Sequence, residues 1–293
     1  MLEAVPNVSE GRDTPAIAEI GDAFATSAAL LDVHSDADHH RSVFTLAGDD
    51  EGLVDALVAG AARALELVDL SRHVGVHPRV GVVDVVPLVP LRADDMSAAE
   101  SAAQDVAARF ADELGLPVFL YARSGGGRRP AFFRRGGPTE LARRIAAGEL
   151  EPDFGPSEID ERKGAVLVGA RPPLVAYNVD LATDDVAVAE DVARAVRESS
   201  GGMPGVQAIG LRLPQAGRTQ VSMNVLDLDA SPLHEVVERV AREARERGVD
   251  TAGGELVGLV PARVLAEAER AGVDLAGVDE SRVLERALER ASL

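Results

Sequence analysis

Two stretches of the chain repeat one order of periodicities, and that order limits the fold more than any single motif. In the first, a short strand-like segment from Glu3 to Pro6 precedes a helical pattern. That pattern starts at Asp13 or Thr14, carries Pro15 in its first turn and runs to about Thr26. "ALLDVHS" and "RSVFTLAG" read as strands, the second with good alternation. Asp49 and Asp50 open a helix through "GLVDALVAGAARALELV", where Leu and Val recur at helical spacing, and "VGVVDVVPLV" is the next strand. The order is β-α-β-β-α-β, the split βαβ or ferredoxin-like arrangement. It returns after Thr183. "LVAYNVDLA" is the first strand of the second set, "DDVAVAEDVARAVRES" its helix, and "VQAIGLRL" and "TQVSMNVLDL" its hairpin. A helix from Ser231-Pro232 through Glu246 and the strand "GGELVGLV" complete it. The expected fold class is α/β (α+β), with two ferredoxin-like subdomains, residues 1–173 and 174–293, divided near Pro172 and Pro173. Their sheets are expected to be mixed or antiparallel, with a ligand cleft between the halves.

Between the two sets lie a helix from near Ser97 to Gly115 and the strand "PVFLYA". Residues 123–164 are less regular: the Gly-rich "SGGGRRP", a short helix near Pro138 to Ala147, and the turn-rich "EPDFGPSEIDERKG" before the strand "GAVLVGA". Two final helical stretches, from Pro261 and Ser281, are expected on the outside.

The charge balance narrows the partners. Asp and Glu number 49 against 30 Lys and Arg, a net charge of −19, and Lys163 is the one lysine. Such a surface repels nucleic acid and anionic membranes, so neither is expected as a partner. An acidic, lysine-poor chain also reads as halophilic; codon bias in a GC-rich genome explains the missing lysine but not the acidic excess. With no cysteine there is no disulfide and no thiolate metal site. "MLEAVPNVSEGRD" has no basic-then-apolar leader, and "VGVVDVVPLVPL", broken by Asp84 and two prolines, is too short to span a bilayer. A cytoplasmic location is expected.

Four motifs bear on chemistry. His73 and His77 stand four apart, a spacing that on a helix could hold a metal, but Gly75 and Pro78 oppose a helix and no acidic residue accompanies them. "DADHH", Asp36 to His40, reads as a polar hairpin turn, with Arg41 facing solvent or an anion. "SGGGRRP" lacks the Gly-Lys-Ser/Thr ending of a phosphate loop and reads as a surface loop. "DFG" at residues 153–155 follows no HRD-type catalytic loop and is no kinase signature. No metal is expected.

Together, "VPNVSEGRD", "LLDVHSDADHHRSVFTLAG", "LVDLSRHVGVHPRVGVVDVVPLVP", "ELGLPVFLYA", "EPDFGPS", "GARPPLVAYNVDL" and "LVGLVP" lie in order from Val5 to Pro261. In this set the chain resembles the glutamate formimidoyltransferase family, the formiminotransferase half of the bifunctional formiminotransferase-cyclodeaminases. The resemblance implies transfer of a formimidoyl group from N-formimino-L-glutamate to tetrahydrofolate, a co-substrate, giving 5-formimidoyltetrahydrofolate and L-glutamate in histidine degradation. It implies an N-terminal and a C-terminal formiminotransferase subdomain with folate between them. The family's catalytic histidine lies in G-x-H-P-R-x-G, which here is Gly75 to Gly81, so the role falls on His77. Its folate-binding loop follows D-F-G and falls on Gly155, Pro156, Ser157, Glu158, Ile159, Asp160, Glu161, Arg162, Lys163 and Gly164.

The chemistry gives His77 a reason. The attacking folate amine must lose a proton and the departing glutamate nitrogen must gain one, and a group that titrates near neutrality can serve both steps. Pro78 holds His77 to extended backbone angles and so aims the ring. Arg41, Arg72 and Arg79 lie in matching segments and are candidates for the substrate carboxylates. The segment "RSGGGRRPAFFRRGGP" departs from the family's pattern. A homodimer is expected, and a separate cyclodeaminase downstream. A related folate-dependent formyltransferase and a non-catalytic folate-binding protein are the alternatives; an intact "HPR" speaks against the second.

Overall fold

A computed structural model describes residues 1–293, the side chain of Ala93 excepted. It divides into two compact units, Met1–Pro172 and Pro173–Leu293.

The first unit is built on β1 (Leu2–Ala4), β2 (Asn7–Val8), α1 (Thr14–Phe24), β3 (Ala29–Asp36), β4 (Arg41–Gly48), α2 (Asp50–Leu67) and β5 (Val83–Pro90). The single first strand read from sequence is two pieces, because Pro6 has no N–H to give to a ladder; its carbonyl still accepts from Phe44 N–H at 3.0 Å. Asp13 caps α1 through a 3.0 Å bond from Ala16 N–H, and Asp49 caps α2 through a 2.8 Å bond from Gly52 N–H. Ile17, Ile20 and Phe24 recur at i, i+3 and i+7 and face the core. The strands pair antiparallel in the order β3-β4-β1/β2-β5, so each βαβ unit is split by a strand of the other.

The chain then extends this sheet. α3 (Met96–Leu114) ends on Gly115 in the left-handed conformation and leads to β6 (Val118–Leu120). α4 (Pro130–Arg134) and α5 (Gly137–Ala146) precede β7 (Val166–Ala170), which inserts between β5 and β6, parallel to both. α1, α2 and α3 cover one face of the sheet. α4 and α5 cover the other face at its β5-β7-β6 end, around Phe119, Phe133, Leu141 and Leu167. β5 begins three residues later than the apolar run suggests. Val80 and Val82 spend their backbone groups on the loop before β7 instead, through Ala165 N–H to Val80 O at 3.0 Å and Val82 N–H to Lys163 O at 2.8 Å.

The second unit contains β8 (Val175–Leu181), α6 (Val186–Val196), β9 (Val206–Leu213), β10 (Arg218–Val225), α7 (Leu233–Glu246) and β11 (Thr251–Val257). Its four strands are all antiparallel, in the order β11-β8-β10-β9. Tyr177, Val179, Val221 and Met223 from the sheet meet Val192, Val196, Val236 and Val240 from the helices. α8 (Ala262–Ala271) packs on α7, and α9 (Leu284–Arg290) closes the chain.

Candidate active site

The segment from Ser71 to Val80 lies across the turn of the β3–β4 hairpin. Gly75 makes this possible: a Cβ there would stand 2.5 Å from the His39 carbonyl and 2.7 Å from the His40 Cβ. Val76 N–H bonds the Asp38 carbonyl at 3.1 Å. A short 3-10 turn, Leu70–Arg72, precedes it, and the rest is irregular, as Gly75 and Pro78 predict.

The two histidines of this segment have different surroundings. His73 is buried, its Nε2 2.7 Å from the His40 carbonyl and its ring 4.2 Å from the His40 ring. Burial leads the forces that push its pKa down to about 4. His77 is half-buried, and its ring stacks at 5.8 Å on that of His39. Its Nδ1 stands 2.7 Å from the Pro78 carbonyl and 3.2 Å from Arg41 Nη1. The Pro78 carbonyl can only accept and the Arg41 guanidinium can only donate, so the two contacts call for opposite tautomers; the shorter one, to Pro78, favours the proton on Nδ1 and the lone pair on Nε2. Burial first, then the Arg41 and Arg134 guanidiniums and His39, push the pKa of His77 well below the ordinary histidine value. The free ring is neutral at pH 7. It is a ready proton acceptor rather than a group poised at neutrality.

Asp84, in β5 and fully buried, organises the cations. Its Oδ2 accepts from Arg41 Nη1 at 2.6 Å and from Arg134 Nη2 at 2.5 Å, and its Oδ1 accepts from Val80 N–H at 2.8 Å. Burial alone would raise the carboxyl pKa; Arg134 and Arg41 outweigh it and keep the group ionised. Arg41 also donates from Nε to Asn7 at 2.8 Å, and burial brings its pKa down to about 10, still charged at neutrality. Two guanidiniums share one carboxylate, so the cluster beside His77 carries net positive charge inside a chain of net charge −19.

The three arginines singled out by sequence part company here. Arg41 stands at the His77 ring. Arg79 does not face an open site; its guanidinium donates to the carbonyls of Gly75, His77 and His73 at 3.0–3.2 Å and clamps the turn. Arg72 is 86% exposed and pairs loosely with Asp69 at 3.7 Å. Arg134 and Asp84 escaped the sequence reading. Asp84 left one signal, a carboxylate within the apolar run "VGVVDVVP". Arg134 left none.

The segment Gly155–Gly164 begins beside β6 and ends beside the His77 turn. Gly155 has φ +83° and a Cβ there would meet the Leu116 carbonyl at 2.2 Å; Gly164 has φ +77° and would meet the Val80 carbonyl at 2.3 Å. Gly81 faces Gly164 in an isolated antiparallel bridge. Only these glycines let the loop lie so close to the turn. Pro156, Ser157, Glu158, Asp160, Glu161 and Arg162 are exposed; Ile159 packs against the Phe119–Phe133 core, and Arg162 pairs with Asp69 at 3.3 Å. Lys163 reaches toward the Leu114 carbonyl at 3.4 Å. Among the described residues no group of three or more His, Cys, Asp or Glu side chains converges as a metal site. No helix among them is long and apolar enough to cross a membrane.

Residues 1–171 match the formiminotransferase domain, N-terminal subdomain, and residues 176–289 match the formiminotransferase domain. The chain belongs to the formiminotransferase family. It is 38% identical over 301 residues to a glutamate formimidoyltransferase of Thermoplasma acidophilum, covering 100% of this chain and 98% of the relative. A glutamate formimidoyltransferase of Streptococcus pyogenes is 38% identical, with 91% of each chain covered. The formimidoyltransferase-cyclodeaminase of Sus scrofa is 39% identical over 92% of this chain, which spans 51% of that longer relative. The glycines that shape the His77 turn thus sit in a family whose members transfer formimidoyl groups by name.

Proposed function

We propose that this chain is a glutamate formimidoyltransferase that moves the formimidoyl group of N-formimino-L-glutamate to tetrahydrofolate, with His77 as the proton-transfer group. The observation that carries the reading is the His77 ring itself, its Nδ1 2.7 Å from the Pro78 carbonyl, standing beside net positive charge.

The residues suit the proton inventory. As N5 of tetrahydrofolate bonds to the amidine carbon, it sheds a proton to His77 Nε2. The carbon–nitrogen bond to glutamate then breaks, and the imidazolium returns that proton to the leaving nitrogen. The products are L-glutamate and 5-formimidoyltetrahydrofolate, with no net proton change on the enzyme. The depressed pKa of His77 favours the second step, because an imidazolium held near two guanidiniums gives its proton up readily. A substrate carboxylate approaching Arg41 and Arg134 adds negative charge and raises the affinity of the ring for the proton it must take. Arg41 is the carboxylate contact we favour among the three arginines, because it stands 3.2 Å from the His77 ring; Arg79 clamps the turn and Arg72 lies in solvent. For the folate we favour the segment Gly155–Gly164, because its end lies against the His77 turn. No metal takes part in this scheme.

We read the protein as cytoplasmic and as a homodimer on the resemblance alone, in histidine degradation. A separate cyclodeaminase downstream is likewise read from the resemblance; the chain spans 51% of the Sus scrofa relative, whose name carries both activities. The test is a coupled assay of purified protein with formiminoglutamate and tetrahydrofolate, followed by acid conversion to methenyl-tetrahydrofolate and its absorbance. Product that depends on both substrates is expected. Product from a formyl donor alone would make the protein a formyltransferase, and folate binding without product would make it a binding protein.

A further inference from the structure

Asp84 is a charge that the fold does not require. It interrupts a strand whose other members are Val, Pro and Leu, all buried, and an apolar residue would pack there without needing partners. A buried carboxylate persists only where it is paired and fully hydrogen-bonded. Asp84 meets that condition by collecting groups from three directions: Val80 N–H, three residues beyond His77; Arg41 from β4; and Arg134 from α4.

We propose that Asp84 is the positioning residue of the transfer site: it grips the His77–Pro78–Arg79 turn through Val80 and holds Arg41 and Arg134 together at the His77 ring. The inference rests on His77 being the proton-transfer group. The two arginines come from segments 93 residues apart in number, 41 and 134, and meet only on this carboxylate. Without it, like charges would separate and the ring would lose its fixed electrostatic frame.

The charged and titratable groups facing His77 are Arg41 from β4, Arg134 from α4, His39 from the hairpin turn, Arg79 from its own turn and Asp84 from β5. Burial and the cations lower its proton affinity, and the Pro78 carbonyl opposes them. Removing Asp84 leaves both guanidiniums unneutralised and lowers that affinity further. Removing Arg134 raises it. The acid limb of kcat/KM, which reports the free enzyme's base, should therefore move in opposite directions.

The experiment measures kcat, KM and the pH dependence of kcat/KM for wild type, Asp84→Asn, Arg134→Gln and His77→Ala. Asparagine keeps the size of Asp84 and can still accept from Val80. Asp84→Asn should lose about 10- to 100-fold in kcat, more than it changes KM, because misplaced reacting groups cost on this order. Its acid limb should move to lower pH, and that of Arg134→Gln to higher pH. If Asp84→Asn does not fold, by circular dichroism, Asp84→Glu decides: it keeps the charge but displaces both guanidiniums, so kcat should fall more than KM changes, and a wild-type kcat would overturn the proposal. A merely structural Asp84 would reduce the active fraction and leave the acid limb of Asp84→Asn where wild type has it, which would overturn the proposal. An active His77→Ala would instead overturn the reading on which it rests.

Discussion

The two units share one strand order, yet their last strands meet different fates. β11 ends its sheet at an edge: Thr251, Ala252 and Gly253 are exposed and the register slips between Thr251 and Gly253. β5 occupies the same place in the first unit, but β7 pairs with its free side in parallel, and all eight of its residues are buried. An edge strand can leave polar groups in water. A strand covered on both faces and both sides cannot, so a carboxylate placed in it must bring its own cations. The inserted β6, α4, α5 and β7 therefore do more than enlarge a core. They bury Asp84, and α4 supplies Arg134 to it. The second unit has a milder version: Asp180 in β8 accepts from Gln220 at 2.9 Å and pairs at 3.3 Å with Arg218, whose side chain is 43% exposed.

The sharpest way to break this contrast is to remove both carboxylates in turn. Asp84→Ala should cost about 3–5 kcal/mol of stability, because it strands two cations in a buried site. Asp180→Ala should cost roughly 1 kcal/mol, since Arg218 can turn to water. Urea unfolding of each variant checks this, and equal costs would dissolve the distinction between the units.

A smaller effect separates the paired histidines. His73 has its pKa pushed from an ordinary 6.5 to about 4, so the unfolded chain takes up a proton that the folded chain refuses. Stability from this residue is full above the unfolded value and is lost as pH falls from 6.5 toward 4. His73→Gln should flatten that part of the stability curve and leave turnover at pH 7 within a few-fold. Unfolding midpoints across this pH range, with the coupled assay alongside, measure both. A His73→Gln loss of activity equal to that of His77→Ala would put the two rings in one function.

The least local prediction concerns salt. With a net charge of −19, like charges repel across the molecule at low ionic strength, where the Debye length is about 30 Å at 0.01 M. At 1 M it is about 3 Å, so the thermal midpoint should climb with KCl while substrate affinity, carried by arginine–carboxylate contacts, stays level or falls. A midpoint flat from low to molar KCl would reject the halophilic reading and leave codon bias to explain the missing lysine.

Much of this architecture was legible in the chain itself. α2 announces itself by apolar spacing and an acidic start, α7 by its Ser231-Pro232 opening, and the hairpin β3–β4 by alternation around a polar turn. α4 was not legible: five residues are too few for a period, and it is held by tertiary contacts, with Arg128 over Phe133 at 5.3 Å and Arg144 over Phe132 at 4.7 Å. The site shows the same divide. His77 stood out through its resemblance to the family's G-x-H-P-R-x-G motif, whose Gly75 and Gly81 also shape its turn. Asp84 declared that a cation was needed without saying which, and Arg134 answers from 50 residues away. Arg79, adjacent to the histidine, was drawn to nearby carbonyls instead.

The central claim is that His77 moves the proton in formimidoyl transfer. The most direct measurement compares wild type with His77→Ala in the coupled assay, with tetrahydrofolate affinity measured separately on each. The account predicts that turnover falls by roughly a hundredfold or more while affinity changes little, since a general acid–base group contributes on that order to rate. Turnover within a few-fold of wild type would contradict it.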